Sequence, residues 1–370
     1  MKLCPLKFRD IFKEKIWGGR QLESLLGKRL PAGQNIGESW EIADHAQDTS
    51  IVASGPYAGS SLHDLVVAHG PDLLGSQVSP TPGGAFPLLL KFLDAQDWLS
   101  VQVHPDDAYA LAHEQGEQGK TEAWYVLSAQ RGAALVCGLS HETTAEALAS
   151  AIENGQLQDH LRHVRVQAGD TLFMPAGRLH TLGPGIVTWE VQENSDVTYR
   201  LYDWGRVGAT GKPRELHVQD ALKVLDLTPT NTPKIPSISI EGEGFRRTFL
   251  VACRYFAAEL LDVQKTFPDC CDGRTFQVLS VLEGSGVVGS EAGETDLCLG
   301  ESVLLPASLG VYRIAARPAL KLIKSYVPDL RRDIVNPLLQ LGHTPSQIAA
   351  LGGEGKGNDI VPLLAQATPV

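Results

Sequence analysis

Three short stretches carry side chains suited to metal binding and proton transfer, two of them at a spacing of two. Gln102-Val103-His104 is the first. On an extended strand, residues two apart share a face, so Gln102 and His104 point one way and Val101 and Val103 the other. Gly119-Lys120-Thr121-Glu122 leads into another strand, and Lys120 and Glu122 share a face there. His180 opens a third strand after Pro175-Ala176-Gly177. Two imidazoles, a carboxylate and an amide oxygen form an N/O donor set that suits Zn²⁺ and leaves room for water or substrate. None of the six cysteines (Cys4, Cys137, Cys253, Cys270, Cys271, Cys298) forms a C-x-x-C pair, which excludes an all-thiolate structural site. Taken singly these residues have plainer readings. There are eleven histidines, and one alone is ordinarily a surface or capped side chain; a lone lysine is ordinarily solvated. The paired spacing is what promotes them.

A second chemical stretch follows. Glu190 and Gln192 alternate on a strand, Ser195-Asp196 turns the chain, and Tyr199-Arg200-Leu201-Tyr202 extends it again. Read alone, it also fits a salt-bridged surface hairpin.

The elements that must hold these residues are mostly strands. Trp40-Glu41-Ile42 and Ile51-Val52-Ala53 read as strands, as do Phe86–Ala95, Trp98–Pro105, Thr121–Ala129 and the run from Val164 to Tyr202. Residues 61–75 carry Leu and Val at helical spacing and stop at a glycine. Residues 106–118 read as a polar helix. Residues 143–161 read as the clearest helix, with Ser140 or Thr143 as N-cap. Pro80–Gly84 is a loop, and Thr228–Pro236 reads as a linker to a second β-rich block at about 245–327. Residues 168–182 and 299–314 repeat one pattern of Gly, acid, apolar residues, Pro, Ala, then strand; the first copy keeps His180 and the second has Tyr312 or nothing there. This pattern resembles the second half of a cupin motif. The expected fold is mainly β with helical insertions: two cupin-type jelly-roll barrels, the first metal-bearing and the second without ligands. The expected units are 1–232, with a helical insertion at about 106–163, then 233–328, then an extension 329–370 that is either disordered or a packed helical appendage.

Composition limits the function. The 370 residues carry 37 Gly and 22 Pro, which favours a turn-rich β fold, and the formal charge of −11 offers no basic face for nucleic acid. An anionic substrate must then be met by a few local cations. Charges interrupt the first residues every few positions, which gives no signal-peptide core, and no apolar run is long enough for a membrane. Scattered thiols fit a reducing cytoplasm.

The motifs QVHPDD (102–107), GKTE (119–122), PAGRLHTL (175–182) and WEVQENSDVTYRLYDWGR (189–206), with IWGG (16–19) and GESWE (37–41), resemble the type I mannose-6-phosphate isomerases of the short bacterial branch. The resemblance spans about residues 1–327; the segment beyond is longer than that branch leads one to expect. It implies one Zn²⁺ per chain, ligated at Gln102, His104, Glu122 and His180. It also implies a catalytic arginine at Arg200, an active-site lysine at Lys120, active-site acids at Glu190 and Asp196, and pocket residues at Trp17 and Glu38. The implied reaction is aldose–ketose isomerisation of a sugar 6-phosphate through a cis-enediol, by a cytoplasmic monomer or homodimer. Lys120, Glu190 and a zinc-held water are candidates for the base, and Arg200 for holding phosphate or stabilising the enediolate. Two other readings exist: a different metal-dependent cupin enzyme such as an Fe(II) oxygenase, and a sugar-phosphate-binding cupin without turnover.

Overall fold

Leu88–Ala95 and Ile186–Glu193 are buried along their whole length. Such near-continuous burial means that their sheet is covered on both sides. The computed structural model describes residues 3–46, 48–207 and 211–366. In it these strands lie in an antiparallel six-stranded sheet, in which Ile186–Glu193 is flanked by Leu88–Ala95 and Glu122–Ala129. Ile11–Gly19, Ile36–Ile42 and Thr171–Met174 complete it. A five-stranded sheet of Val101–Val103, Ala134–Leu139, Leu161–Arg165, His180–Thr181 and Tyr199–Tyr202 faces it. Trp124, Val126, Leu172 and Met174 from one sheet and Leu135 and Cys137 from the other form a common interior. Ala123 and Tyr125, alternating with these on the same strand, and Trp189 and Val191 on the neighbouring strand point outward into a larger core shared with the C-terminal half. The alternation of side chains thus places one strand in two cores.

Two helices cover the outside of the five-stranded sheet. Ala145–Glu153 and Val218–Val224 contribute Leu148 and Ala221 to a cluster with Val101, Val103 and Leu201. The first is shorter than the 143–161 expected. Thr144 accepts from the Ala147 amide and is the cap, in place of Ser140 or Thr143. Asn154-Gly155 ends the helix, Gly155 taking φ +70°, and a 3-10 turn at Leu157–His160 then leads into strand. The other expected helix in this region covers only Asp107–His113. The stretch 106–163 therefore also holds barrel strands, among them the one bearing Glu122. Helix Leu62–Leu74 starts on a Ser61/Asp64 capping box and ends at Gly75, as its spacing predicts. Ile51 and Val52 make only isolated bridges, to Ser61 and Phe8.

The C-terminal half is one nine-stranded sheet whose long strands Gln277–Ser290 and Gly310–Tyr326 pair through bulges and bend round a second interior. Leu6–Lys7 pairs with Ser302–Leu305 in this sheet, so the chain's first strand belongs to the second half. The 228–236 stretch is pinned by bridges at Pro229 and Lys234 and buries Ile235, so it is a strap across the first half. Beyond residue 328 the chain forms a wide turn (Leu330–Val335) and the short helices Asn336–Gln340, Pro345–Ala350 and Val361–Ala365. Ile334, Val335, Leu338, Ile348, Leu351 and Ile360 are fully buried in the shared core. This segment is a packed appendage.

Candidate active site

Register brings the site together. Val101–Val103 is central in its sheet, so Gln102 sits opposite His180 on one neighbour and opposite Arg200 on the other. In the facing sheet Glu190 lies opposite Lys91 and Trp124, and Glu122 opposite Gln192. His104 follows the end of its strand, and Lys120 precedes its own.

His104, Glu122 and His180 converge, with one ligand atom from each within 4.8 Å of the others, and all three are buried. His180 Nε2 is 3.0 Å from Glu122 Oε1, and His104 Nε2 is 3.6 Å from Glu122 Oε2. Two ligands of a tetrahedral zinc, each about 2.0–2.2 Å from it, stand roughly 3.3–3.6 Å apart. Each histidine is oriented by a carbonyl: His104 Nδ1 lies 2.8 Å from the Val197 oxygen and His180 Nδ1 2.9 Å from that of Arg178. A carbonyl only accepts, so both rings carry their proton on Nδ1 and turn a bare Nε2 inward. His104 Nε2 and both Glu122 oxygens are buried without a hydrogen bond, an arrangement that costs free energy unless a cation completes it. Burial, then Lys120, holds His104 well below the ordinary imidazole range. Burial would raise Glu122, but Lys120, His180 and His104 outweigh it and hold the carboxyl well below its usual range. A neutral imidazole beside an ionised carboxylate is the protonation state that metal ligands need. The donor set therefore fits a divalent ion. The Gln102 amide lies alongside, Nε2 3.3 Å from His180 Nε2 and Oε1 accepting from Ser100. Ligation through Oε1 requires the amide to be turned over.

Beside this trio is a cavity of about 120 Å³ lined by Trp17, Glu38, Gln102, Lys120, Glu190, Asp196 and Arg200, so every remaining expected site residue reaches one space. Lys120 Nζ lies 3.0 Å from Glu122 Oε2. The Glu190 carboxylate is no surface hairpin group: it is buried, accepts from Trp124 Nε1 at 2.6 Å and lies 3.3 Å from Lys91 Nζ. Burial raises it, opposed by Lys91 and reinforced by Glu122, and the carboxyl sits above its usual value. Burial also raises Glu38, but Lys91, Lys15 and the Trp40 indole prevail and hold it at about 2. Arg200 keeps a buried Nε without a hydrogen-bond partner.

Sequence reasoning missed Lys15, Lys91, Trp124 and Arg214, which also line the cavity. Lys91 lies within the apolar run LLLKFLDA, where a lone charge between leucines was the available signal. With these, the lining carries Lys15, Lys91, Lys120, Arg200 and Arg214 against Glu38, Glu190 and Asp196. A protein of net charge −11 thus presents a locally cationic pocket. A larger cavity of about 640 Å³, bounded by Glu142, Arg178, Asp226 and Lys356, holds none of this chemistry.

Comparison with known proteins gives a consistent result. Residues 6–124 match phosphomannose isomerase type I, catalytic domain, and residues 246–327 match the mannose-6-phosphate isomerase cupin domain. The chain is 39% identical to mannose-6-phosphate isomerase ManA of Bacillus subtilis over 311 residues, covering 84% of this chain and 95% of that protein. It is 38% identical to the mannose-6-phosphate isomerase of Streptococcus mutans, covering 82% and 93% of the two chains. The crystal structure of mannose 6-phosphate isomerase from Bacillus subtilis superposes with a TM-score of 0.80 at 34% identity, covering 87% of this chain and 99% of that one. A phosphomannose isomerase mutant from Salmonella typhimurium, 17% identical with a TM-score of 0.71, shares the fold. With relatives 38–39% identical and matched along almost their whole length, the chain belongs to the type I phosphomannose isomerase family.

Proposed function

We propose that this chain interconverts mannose 6-phosphate and fructose 6-phosphate at a Zn²⁺ held by His104, Glu122 and His180, with Gln102 as a fourth donor. The observation that carries the reading is the convergence of the buried His104, Glu122 and His180, with His104 Nε2 lacking any hydrogen bond, beside a pocket whose walls supply Lys120, Glu190 and Arg200. When bound, zinc supplies Lewis acidity to the carbonyl and hydroxyl oxygens of the substrate.

The chain's own groups do the rest. A carbon acid beside a carbonyl needs a positioned base, and the proton must return to the neighbouring carbon by way of a cis-enediol. Glu190, raised by its burial, is a base closer to neutral pH than an ordinary carboxylate. Lys91 and Trp124 fix its orientation. Lys120 is placed to donate to the oxygens between which the proton moves. Arg200, with its free Nε, and Arg214 meet the phosphate, a role that a planar guanidinium fills bidentately. Trp17, Glu38 and Asp196 bound the sugar. In this reading residues 1–232 form the catalytic unit and 233–328 a metal-free companion. The enzyme acts in the cytoplasm as a monomer or homodimer, which the unpaired state of all six thiols supports.

The test is to follow fructose 6-phosphate formation from mannose 6-phosphate before chelation, after it, and after zinc is restored. Activity lost to chelator and recovered with zinc is expected. Full turnover after thorough metal removal would sink the zinc mechanism, and absence of turnover in zinc-loaded protein would sink the substrate assignment.

A further inference from the structure

The residues beyond 327 lie outside the matched cupin domain, yet one loop of them reaches back to the metal site. Gly352–Gly357 is fixed at both ends on the second half of the molecule. The Leu351 carbonyl accepts from the Ala252 amide at 3.0 Å, and the Asp359 carboxylate accepts from the Arg254 amide at 2.9 Å. Between these anchors the loop crosses to the first half. The Glu354 carbonyl accepts from Arg178 Nη2 at 2.9 Å, and the Glu354 carboxylate accepts from the amides of Asn231 and Thr232 and from the Thr232 hydroxyl. The approach is close: a Cβ on Gly353 would come within 2.9 Å of Phe173, and one on Gly357 within 2.8 Å of Pro175. Phe173 and Pro175 lead into the turn that ends at His180.

Arg178 is the link between this loop and the ligand. Its side chain is held by the loop, and its own carbonyl holds His180 Nδ1 at 2.9 Å. That contact fixes both the tautomer and the plane of the ring. Arg178 as a whole is 8% exposed, its Nη1 also reaches the Phe173 carbonyl at 3.5 Å, and it borders the cavity of about 640 Å³. A buried donor left without a partner is costly, so the loop and residue 178 are coupled through this contact.

We propose that Gly352–Gly357 is a clasp, anchored on the second half of the molecule, that sets the position of His180 through Arg178, and that Arg178 and Glu354 are positioning residues for the metal centre. The inference rests on the reading of His104, Glu122 and His180 as that centre.

The experiment uses the full chain in wild-type, Arg178→Met and Glu354→Gln forms. Zinc affinity is measured by competition with a chromophoric chelator, the visible spectrum is recorded with Co²⁺ in place of zinc, and Tm is recorded with and without metal. Loss of a partner that orients a ligand typically weakens metal binding about 10–100-fold; Arg178→Met keeps the orienting carbonyl but frees it from the loop, so a weakening toward the lower end, about 10-fold, is expected, with an altered Co²⁺ spectrum and a smaller gap between loaded and metal-free Tm. Glu354→Gln keeps its backbone carbonyl and is expected to shift affinity less, in the same direction; it carries the test alone if Arg178→Met does not fold. Variants that bind zinc as tightly as wild type, with Tm lowered equally in both states, would overturn the clasp and leave the loop a structural brace. A wild-type chain that takes up no divalent metal would overturn the metal reading and the clasp together.

Discussion

At the scale of single residues, the site has two parts, which the proposed function reads as ligation and proton transfer. His104, Glu122 and His180 face one another, whereas Lys120, Glu190 and Arg200 face the adjoining cavity. Lys120→Ala and Arg200→Ala are accordingly expected to lower kcat/KM by at least about 100-fold, the scale of a lost acid–base or charge contact, while retaining one zinc by metal analysis. Loss of zinc along with activity would make either residue a support of the ligand set. Glu190 gives a pH signature. In the proposed role as base its carboxylate is the active form, and because burial raises its pKa, activity is expected to fall as pH drops through a value above the ordinary carboxylate range. Trp124→Phe removes the indole donor that favours the ionised form. A hydrogen bond to a charged group is worth about 1.5–3 kcal/mol, so the acid limb of kcat/KM is expected to move up by about one to two pH units. An unmoved limb would assign it to another group.

At the scale of elements, turns decide how precisely ligands are delivered. Gly177 adopts φ +85°, its amide donates to the His104 carbonyl at 2.8 Å, and a Cβ there would come within 2.9 Å of the Val224 oxygen. One residue thus joins the turn before His180 to the end of the strand that bears His104. Gly177→Ala is expected to cost about 1–2 kcal/mol for the left-handed backbone alone, read from denaturant unfolding, and to weaken zinc binding. Stability unchanged within error would show that the turn relaxes freely. The same scale explains where helix expectations overreached. Leu157 and Leu161 continue the helical spacing past Glu153, but Asn154-Gly155 breaks the run, and Leu161 is taken by pairing with Leu139.

At the scale of the molecule, the two halves share a core but neutralise buried charge differently. Among the described residues of the second half no histidine cluster forms; counted from Pro306-Ala307, Val311 stands at the place of His180 in the repeat, and the hydroxyl of the neighbouring Tyr312 hydrogen-bonds Gln277 and lies 3.1 Å from Asp269. The fully buried Glu259 there accepts from Arg247 Nε and Nη2, each at 2.7 Å, and from the Tyr326 hydroxyl at 2.6 Å. Burial alone would raise Glu259, but Lys324 and Arg247 dominate and hold it at about 2. A carboxyl depressed on folding adds stability that is complete above its ordinary value, 4.5, and lost as pH falls through about 2. Acid unfolding of the wild type should therefore steepen between about pH 4.5 and 2. Glu259→Gln should be less stable at neutral pH, by about 3–5 kcal/mol for a broken buried ion pair, and its stability should depend less on pH across that window. A Glu259→Gln variant with the wild-type pH profile would show that Glu38 or other groups set the acid transition.

The sequence by itself determined the local geometry of this protein. Side chains alternate along any strand, so the shared faces of Gln102/His104 and Lys120/Glu122 followed from spacing, and the Gly-Pro pattern around His180 followed from turn chemistry. Family resemblance supplied the roles of Arg200, Glu190, Asp196, Trp17 and Glu38, and the fold brings all of them to one cavity. Only tertiary structure decided what depends on pairing between distant segments. Register set His180 and Arg200 on either side of Gln102. Burial between two carboxylates made Lys91 part of the site. After residue 328 the sequence shows one possible short helix, at 346–351, which the fold has as Pro345–Ala350; that its apolar residues close the shared core and carry the loop that meets Arg178 was not legible. Such contacts span more than 170 positions, and no local propensity encodes a partner that far away; the fold brings the two together because both bury apolar surface in the same place.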